Sequence, residues 1–399
     1  MKKKILHFID SEGLYGAENV LLNLSREMLG STDYAPVVGC IVQRYSDQSD
    51  LYDKALDLGI EAVKIRINNL IFFIDIFKTA LFFKKNKISC IHSHGYKPSV
   101  VGYVIQKITG IPIISTCHLW YTGGKRALKR RMMIRTELFF YRFFSKVVCV
   151  SEPIRKTLLH AGVPENKTVL IKNGIYISDY SMGSVLTDSK LKQELGISPE
   201  SFVLVNIARL SKQKAQENII AAANILKKHG SDCIFLIAGE GPLRSHYEEM
   251  VRTLGLQACV KFLGFQSDIK ALLSISHAFI LPSRDEGLPI SLLEAMASHT
   301  PTIVTPVGNI SDLAHHKKTA FVISVDNVGA IVKAVQWMMN NQDACEKISK
   351  NAYDNVNKYY SASAMYRAYQ SVYADVMKNK NSGTVNHGTT KSKCGNNML

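Results

Sequence analysis

Two carboxylates, Glu286 and Glu294, lie eight residues apart in the second half of the chain. Pro289 and Ser291, which lie between them, are typical of a helix start and predict a helix that begins near Leu288. Glu294 would then lie almost two turns inside that helix, roughly 9–10 Å along its axis, while Glu286 stays in the preceding loop. This separation excludes a close acid–base pair. It suits two groups that hold opposite ends of one extended ligand, such as a nucleotide diphosphate sugar; a solvated helix start is the alternative.

Two cations, Arg209 and Lys214, follow the predicted strand 202–208. The loop that contains them lies at the carboxyl end of this strand and leads into a helix. A guanidinium offers a planar fork of donors and an ammonium group offers a compact charge, so the two together suit a diphosphate. A solvated basic loop explains the spacing equally well.

Glycines follow two other predicted strands. Gly13 and Gly16 would allow the backbone to approach an anionic ligand at a helix N-terminus. The segment around them is not a G-x-G-x-x-G motif, which counts against a dinucleotide cofactor. Gly239 and Gly241 are more simply explained by an ordinary strand-to-helix turn.

The elements that would position these residues alternate along the chain. Short, nearly continuous apolar runs are typical of parallel strands that are covered on both faces. Helical patterns lie between them, so the sequence predicts α/β architecture with two Rossmann-like, doubly wound halves and a ligand cleft between them. The predicted strands are 5–9, 37–42, 90–92, 113–116, 146–150, 202–208, 234–238, 260–263, 278–281 and 302–305, and the predicted helices include 17–29, 154–161, 217–228 and 243–254.

A weakly patterned stretch, residues 175–187, separates the two series of strands. We therefore predict a first domain over residues 1–180 and a second over residues 181–377, with the last helix free to pack back on the first domain. The tail 378–399 is rich in Asn, Gly, Ser, Thr and Lys and lacks apolar periodicity. We predict that this tail is disordered.

The composition is that of a folded globular protein, with 46% hydrophobic and 21% charged residues. The length of 399 residues favours two domains. The 49 basic and 33 acidic residues give a net charge of +16, which indicates an anionic partner. Because no nucleic-acid-binding module is recognisable, we expect a phosphorylated small molecule or an anionic membrane surface rather than nucleic acid.

The eight cysteines form no C-x-x-C pair, and most lie in apolar runs. They indicate core residues in a reducing compartment rather than disulfides or a zinc site. No export signal is recognisable, and the longest apolar stretch, 70–83, is interrupted by charges and too short to span a bilayer. We expect a cytoplasmic protein, with peripheral contact to the inner face of the cell membrane as a further hypothesis.

Two basic stretches in the first half support that hypothesis. Residues 125–146 contain eight basic residues and one acid, interleaved with large apolar side chains. Residues 70–87 likewise combine apolar side chains with Lys84, Lys85 and Lys87. Such stretches suit an anionic membrane surface. A basic outer face above an apolar core face is an equally good interpretation.

The E-x7-E spacing of Glu286 and Glu294 resembles the signature of retaining GT-B glycosyltransferases of the group 1 (GT4) family. The agreement extends over about residues 5–325. Four further segments share it: Gly16-Ala-Glu18 (family G-G-A-E, with Tyr15 in place of the first Gly), Val150-Ser-Glu152 through Asn173-Gly-Ile175 (V-S-E…P-N-G-I), Arg209 with Lys214 (R-L-x-x-x-K), and Thr305-Pro-Val-Gly308.

The resemblance implies sugar transfer from a nucleotide sugar to a glycan acceptor, with the anomeric configuration retained. Arg209 and Lys214 would neutralise the diphosphate leaving group, as a metal does in other glycosyltransferases. Glu294 would hold the ribose hydroxyls of the donor. The resemblance and the basic stretches together suggest an acceptor linked to polyprenyl diphosphate, in cell-surface polysaccharide or lipopolysaccharide synthesis.

The resemblance also assigns roles around the donor sugar. Glu286, with the backbone of Gly287 and Leu288, would hold that sugar, and His118 would reach it near the reacting carbon. Gly16 would pack against the phosphates from the other domain. No metal and no cofactor are implied, and a UDP-sugar is the expected donor. The alternatives are a non-catalytic GT-B sugar-binding subunit and a UDP-sugar epimerase of the same fold.

Four positions depart from the family pattern. Ala208 and Ala215 replace glycines that often precede the arginine and follow the lysine, and both are small. Tyr176 replaces the usual aspartate after Asn-Gly-Ile, and Asn309 replaces a glycine that often follows Val-Gly. None of these changes removes a group with an implied catalytic role, but the last two bear on donor identity.

Overall fold

The computed structural model describes residues 2–10, 13–14, 16–42, 49–67, 72–118, 127–180 and 185–382, with no side-chain detail for residues 127, 129–130, 185–189 and 379–382. Two parallel sheets form the two halves of this part of the chain. This is the GT-B arrangement that the sequence predicts, and it places the carboxyl ends of many strands beside one another.

The first sheet has seven strands in the order β3-β2-β1-β4-β5-β6-β7. The second sheet has six strands in the order β10-β9-β8-β11-β12-β13. The strands are β1 (Lys3–Ile9), β2 (Tyr34–Val42), β3 (Glu61–Arg66), β4 (Ile88–His94), β5 (Ile113–Cys117), β6 (Lys146–Cys149), β7 (Thr168–Leu170), β8 (Phe202–Ile207), β9 (Cys233–Ala238), β10 (Val260–Gly264), β11 (Ala278–Leu281), β12 (Thr302–Val304) and β13 (Phe321–Val322).

Helices connect these strands. They are α1 (Gly16–Leu29), α2 (Asp50–Asp57), α3 (Phe72–Lys85), α4 (Tyr96–Thr109), α5 (Ala127–Tyr141), α6 (Glu152–His160), α7 (Val185–Glu194), α8 (Gln216–Lys228), α9 (Arg244–Thr253), α10 (Ile269–Ser274), α11 (Ile290–Ala297), α12 (Val328–Asn340), α13 (Gln342–Tyr359) and α14 (Ala362–Ser382).

Each sheet is buried on both faces by such helices. On one face of the first sheet, α3, α4 and α5 pack Phe83, Ile105 and Tyr141 into one core cluster. On the other face, Leu24 of α1 and Tyr373 of α14 belong to a separate cluster. Because both faces are covered, most of the central strands contain short runs of consecutive apolar residues, which is the pattern that made them recognisable in the sequence.

Three strands are absent from the sequence prediction, and all three lie at or next to the edges of the sheets. β3 mixes charged and apolar residues and has one buried position, Ile65. β7 and β13 contain only three and two residues. An edge strand needs no continuous apolar run, so neither the composition nor the length of these segments marks them as strands.

The last helix, α14, continues to Ser382. The first five residues of the predicted disordered tail, 378–382, are therefore helical, because adding residues to an existing helix costs little and lysine is a good helix former. Residues 383–399 lie outside the described part of the chain. Met365, Tyr369 and Tyr373 of α14 pack in the same cluster as Ile5 and Ile114 of the first sheet.

The chain passes between the two halves at two adjacent points. The backbone N–H of Ile175 donates to the carbonyl of Tyr360 (2.9 Å), and the N–H of Ala362 donates to the carbonyl of Ile175 (2.7 Å). A Cβ at Gly174 would lie 2.5 Å from the carbonyl oxygen of Ser361. The Asn-Gly-Ile segment therefore needs its glycine for close backbone contact at this crossing. The domain limits given above, at residues 180 and 377, stay a prediction.

Seven of the eight cysteines lie in the described part of the chain, and all seven are free thiols. Six of them are buried and Cys259 is partly buried. The eighth, Cys394, lies outside the described residues. The described cysteines thus behave as small core residues.

Candidate active site

Three of the charged residues singled out in the sequence, Arg209, Lys214 and Glu286, lie in the loops that follow two neighbouring strands of the second sheet. β8 leads into the loop with Arg209 and Lys214, and β11, its neighbour, leads into the loop with Glu286. Since both strands are parallel, their carboxyl ends meet at one edge of the sheet. The structure thereby brings the two loops together at the position where doubly wound proteins bind ligands.

Lys214 and Glu286 form an ion pair with a distance of 2.5 Å between Nζ and Oε1. The Lys214 side chain is 18% exposed and that of Glu286 is 4% exposed. The hydroxyl of Ser283 donates to the same Oε1 atom at 2.7 Å. A carboxylate with this little exposure needs such partners, because an isolated buried charge is costly. The Arg209 side chain, in contrast, is exposed.

Arg284 holds the two loops together. Its guanidinium pairs with Glu217 at the start of α8 and with Asp326, both at 2.7 Å. Its backbone N–H donates to the carbonyl of Gln213, one residue before Lys214. These bonds fix the loop that contains Lys214 against the loop that contains Glu286, so the ion pair rests on a rigid support.

Glu294 is buried in α11 and has a different partner from Glu286. The hydroxyl of Tyr180 donates to its Oε1 at 2.7 Å. Burial, only partly offset by this hydrogen bond, raises the pKa of Glu294. A carboxylate with one hydrogen bond keeps free acceptor capacity for further hydroxyl donors, as a ribose would provide.

The helix that contains Glu294 begins two residues later than the sequence predicted. α11 starts at Ile290, with Pro289 in an extended conformation before it. The reason is that a residue preceding proline is disfavoured in the helical region, so Leu288 stays outside the helix and packs in the core. Glu294 lies about one turn, roughly 6 Å, from the helix start rather than 9–10 Å. Its role at the far end of the ligand stays a prediction.

Two glycines flank the backbone of Arg209. A Cβ at Gly239 would lie 2.1 Å from the carbonyl oxygen of Ala208, and one at Gly241 would lie 2.2 Å from that of Leu210. The turn after β9 therefore packs directly on the loop that contains Arg209. Gly239 and Gly241 therefore have a packing role, which agrees with their interpretation as part of an ordinary strand-to-helix turn.

The first domain meets the start of α11 at two places. Gly16, the first residue of α1, has its nearest neighbour for an added Cβ in Ile290, at 3.6 Å. The Asn309 side chain donates to the carbonyl of Val150 at 3.4 Å, and its backbone N–H donates to the carbonyl of Gly287 at 3.1 Å. The asparagine that departs from the family pattern thus links the loop that contains Gly287 to the first domain. Tyr15 lies outside the described residues.

Tyr176, the other departure near the cleft, packs on the first domain. The Arg26 guanidinium lies 3.9 Å from the centre of the Tyr176 ring and also forms an ion pair with Asp179. These contacts tie α1 to the segment that leads into the second half. They supply a structural reason for an aromatic side chain here.

His118 belongs to a group of four histidines from β1, β4 and the end of β5, and no motif in the sequence predicted this group. The Nδ1 atom of His7 lies 3.3 Å from Nε2 of His94, and Nδ1 of His94 lies 3.4 Å from Nε2 of His118. His92 packs against the same rings and contacts the hydroxyls of Tyr373 (2.9 Å) and Thr116 (2.7 Å). Polar residues at the carboxyl ends of adjacent apolar strands were the signal that could have revealed this group.

Burial keeps these imidazoles neutral. It lowers the pKa of His7 to about 3 and that of His118 to about 4. It also lowers the pKa of His92 and His94 well below the usual value, and the neighbouring imidazoles act in the same direction. A neutral imidazole donates through one nitrogen and accepts through the other, so His118 can form either kind of hydrogen bond with a sugar hydroxyl.

His7, His92 and His94 are also the residues in the described part of the chain whose ligand atoms lie close enough together to share a metal ion, within 4.8 Å. Both ring nitrogens of His92 already have hydroxyl partners, Tyr373 and Thr116. A metal would have to displace one of these hydrogen bonds. We therefore interpret the group as a hydrogen-bonded network within the first domain.

The histidine network predicts a loss of stability in mild acid. The unfolded chain binds a proton at each imidazole near pH 6.5, whereas the folded chain does so only at lower pH, so stability is present above about pH 6.5 and falls as the pH drops toward 4. Each such histidine contributes up to about 1.4 kcal/mol per pH unit in this window. Urea unfolding at pH 7.5 and 5.5 measures the effect. Replacing His94 by Gln should reduce the slope, replacing the exposed His246 by Gln should not, and a pH-independent unfolding free energy would contradict the assignment.

Ala215, the residue after Lys214, has φ +54° and precedes the first turn of α8. This left-handed conformation costs about 1 kcal/mol for any residue other than glycine. We expect Ala215→Gly to raise the free energy of unfolding by about that amount. Ala222→Gly, in the middle of α8, should instead lower the free energy of unfolding. Denaturant titration of the two variants tests this, and destabilisation by Ala215→Gly would show that the strain is absent.

Two family models match most of the chain. The model described as glycosyl transferases group 1 matches residues 187–355, and the model described as glycosyltransferase family 4 matches residues 15–179. The two matches correspond to the second and the first sheet with their helices.

Individual relatives and solved structures agree with these models. An Escherichia coli UDP-Gal:alpha-D-GlcNAc-diphosphoundecaprenol alpha-1,3-galactosyltransferase is 24% identical, over 74% of this chain and 78% of its own length. The putative glycosyltransferase EpsF of Bacillus subtilis is 25% identical, over 76% and 79%. The crystal structure of Anabaena HepE in complex with UDP-glucose superposes with a TM-score of 0.79 at 20% identity, covering 93% of this chain and 99% of that chain. The fold, the neighbouring cation and carboxylate loops and the two family matches together place this chain among the group 1 glycosyltransferases.

Proposed function

We propose that this glycosyltransferase moves a sugar from a UDP-sugar to a glycan linked to polyprenyl diphosphate, with retention of the anomeric configuration, in the synthesis of a cell-surface polysaccharide or lipopolysaccharide. The observation that supports this most is the Lys214–Glu286 pair at the carboxyl ends of β8 and β11, beside the exposed Arg209. The Escherichia coli relative, which acts on a diphosphoundecaprenol-linked sugar, supports the choice of acceptor.

In this proposal the bond between the anomeric carbon and the β-phosphate oxygen breaks, and its electron pair stays on the diphosphate. Arg209 and Lys214 stabilise the negative charge that develops there, which is the type of interaction that contributes most to such rates. The acceptor hydroxyl attacks the same face of the sugar, and its proton passes to the departing phosphate oxygen. The proposed reaction uses no carboxylate nucleophile; Glu286, which is held by Lys214 and Ser283, binds the sugar instead.

The remaining residues position the donor. Glu286, with the backbone of Gly287 and Leu288, holds the sugar, and Glu294 accepts hydrogen bonds from the ribose hydroxyls. Gly16 at the start of α1 packs against the phosphates from the first domain. His118 binds the sugar as a neutral imidazole, in keeping with its lowered pKa. We also propose that two fixed cations replace a metal, so EDTA should leave turnover unchanged.

We further propose that the enzyme works at the cytoplasmic face of the membrane that contains its acceptor. In the described part of the chain, no helix is long and apolar enough to cross a bilayer. Contact with the membrane would then be peripheral, through basic and apolar surface residues of the first domain.

A panel of nucleotide sugars tests the proposal. The purified protein is incubated with each donor and with a polyprenyl-diphosphate-linked acceptor, nucleotide release and product mass are measured, and the anomeric configuration of the new bond is read from NMR coupling constants. We expect one UDP-sugar to give UDP and a product heavier by one sugar, with the configuration of the donor. Conversion of the donor to an epimer without acceptor would indicate an epimerase, and donor binding without turnover would indicate a sugar-binding subunit.

A further inference from the structure

One face of the first domain is both apolar and basic. It is the outer surface of α3, α4 and α5, which we call the α3–α5 face. Ten of the seventeen exposed large apolar side chains in the described part of the chain lie on or directly after these three helices: Phe73, Ile74, Phe77, Leu81, Phe82, Ile108, Leu128, Met132, Phe139 and Phe143. A concentration of this kind marks an interaction surface.

α3 shows the pattern most clearly. Its inner side chains Ile76, Ala80 and Phe83 fill the core, so the core accounts for only one side of the helix. Next to this core side the helix exposes Phe73, which is 79% exposed, and Phe77, which is 53% exposed. Packing in the core therefore does not explain why these two residues are apolar.

The three helices form one layer rather than separate patches. α3, α4 and α5 contribute to the same core cluster on one face of the first sheet. Tyr103 of α4 packs against Phe140 of α5 at 4.9 Å between ring centres, and against Phe143 at 5.6 Å. Their outer side chains therefore belong to one continuous surface.

The charge of the α3–α5 face selects the kind of partner. The three helices contain nine basic and two acidic residues. The two acids are not exposed: Asp75 is half-buried, and Glu137 is buried and accepts a hydrogen bond from Tyr141. Lys78, Lys84 and Arg131, in contrast, are exposed. A second copy of this chain would place cations against cations, whereas an anionic bilayer offers phosphates for the cations and acyl chains for the aromatic rings.

We propose that the α3–α5 face is a docking surface for an anionic lipid bilayer, with α3 lying in the plane of the interface. Phe73 and Phe77 insert below the headgroups, and Lys84 and Lys85 bind lipid phosphates. The face belongs to the first domain and contains none of the residues of the loops with Arg209, Lys214 and Glu286.

The topology also gives the docked protein an orientation. α3 and α5 follow β3 and β5, so both helices begin at the carboxyl edge of the first sheet, where the cleft lies. Phe73 and Met132 thus lie toward the cleft end of the layer, and Lys84 and Lys85 lie at the far end. The orientation relative to the acceptor is the one step that rests on the proposed function. The polyprenyl chain of the acceptor stays in the bilayer while its sugar enters the cleft beside it.

Vesicle flotation tests the docking surface without any need for turnover. We expect the protein to float with vesicles of phosphatidylglycerol and phosphatidylcholine at low salt, and to bind pure phosphatidylcholine much more weakly. The double variant Phe73→Ser/Phe77→Ser should lose at least about tenfold in partition, since each phenylalanine would leave an apolar phase. Lys84→Gln/Lys85→Gln should lose about tenfold or more at low salt.

Matched controls lie on the second domain. Phe265→Ser removes a phenylalanine that is 60% exposed, and Lys227→Gln/Lys228→Gln removes an adjacent lysine pair at the end of α8. Neither control should change flotation. The surface assignment is overturned if the wild type does not bind anionic vesicles, if controls and variants behave alike, or if Phe73→Ser/Phe77→Ser instead dissolves a dimer seen by light scattering.

A second readout tests the orientation. Turnover is compared on a full-length polyprenyl acceptor in anionic vesicles and on a water-soluble, short-chain acceptor. The α3 variants should lose activity on the first acceptor and keep it on the second. Equal loss on both would overturn the orientation, while failure of the wild type on both would count against the proposed function and leave the flotation result to decide the docking surface.

Discussion

Replacing Lys214 by Ala should lower turnover by at least about a hundredfold to a thousandfold, the range found when one fixed donor to a developing negative charge is removed. The ammonium group lies at the edge where β8 and β11 end, and it is one of the two cations that neutralise the diphosphate in the proposed reaction. Turnover of the preferred donor, measured by nucleotide release, gives the result directly.

The same substitution also removes the partner of a buried carboxylate. Glu286 is 4% exposed and, among the described residues, would keep Ser283 alone as a side-chain hydrogen-bond donor, so Lys214→Ala should also destabilise the fold by a few kcal/mol. Two further variants separate the effects. Lys214→Ala/Glu286→Gln should recover stability but not activity, because the buried charge is gone while the leaving group still lacks its cation. Arg209→Ala should lose activity with little change in stability, because the Arg209 side chain is exposed.

The diphosphate assignment is wrong if Arg209→Ala or the double variant transfers sugar at a rate near that of the wild type. A loss of activity that follows the melting temperature across all three variants would equally contradict it, since the ion pair would then be structural only.

Gly308→Ala should be nearly as damaging, although residue 308 has no chemical group to lose. Gly308 has φ +55°, and a Cβ there would lie 1.8 Å from the carbonyl oxygen of Glu286 and 3.2 Å from that of Gly287. Both obstacles are backbone atoms, so the loop with Glu286 must move. A displacement of about 1 Å at a catalytic group can cost roughly a hundredfold in rate, and we expect a loss of that size together with a higher KM for the donor.

Gly329→Ala is the matched control in the same domain. Gly329 lies in α12, and an added Cβ would meet only the Asn327 side chain at 3.6 Å. This variant should keep full activity and be slightly more stable, because alanine favours a helix. If Gly308→Ala has the activity and the donor KM of Gly329→Ala, the close contact between residue 308 and the Glu286 loop does not position the site.

The sequence was sufficient for the architecture because the central strands leave a strong signal. β1, β8 and β11 are apolar at consecutive positions since helices cover both faces of each sheet, and that pattern needs no partner strand to be recognised. The edge strands β3, β7 and β13 lack it. Their pairing depends on neighbours that are distant in sequence, so local patterns could not find them.

The candidate site was predictable in part for a similar reason. Lys214 and Glu286 follow strands that a doubly wound sheet places side by side, so their meeting could be expected from topology. Tyr180 could not be expected to contact Glu294, because it lies in the segment between the two sheets. The contacts of His7 and His94 with His118 depend on side-chain packing between β1, β4 and β5, which no spacing within one segment encodes.

One residue, Pro289, determines where α11 begins and therefore where Glu294 lies. Pro289 keeps Leu288 out of the helix, so the helix starts at Ile290 and Glu294 lies one turn rather than two from its start. The two glutamates remain separate, with Lys214 and Ser283 on one and Tyr180 on the other. The two glutamates can therefore still hold different parts of one ligand, which stays a prediction. Glu294 is only closer to the start of its helix than the sequence indicated.

The most direct test of the central claim is the affinity of the protein for UDP and for uridine, measured by calorimetry on the wild type and on Arg209→Ala/Lys214→Ala/Glu286→Gln. If these cations hold the donor diphosphate, the wild type binds UDP at least about a hundredfold more tightly than uridine, and the triple variant loses most of that preference while its uridine affinity is unchanged. A wild type that binds UDP and uridine equally, or a variant that keeps the full preference for UDP, would contradict the account.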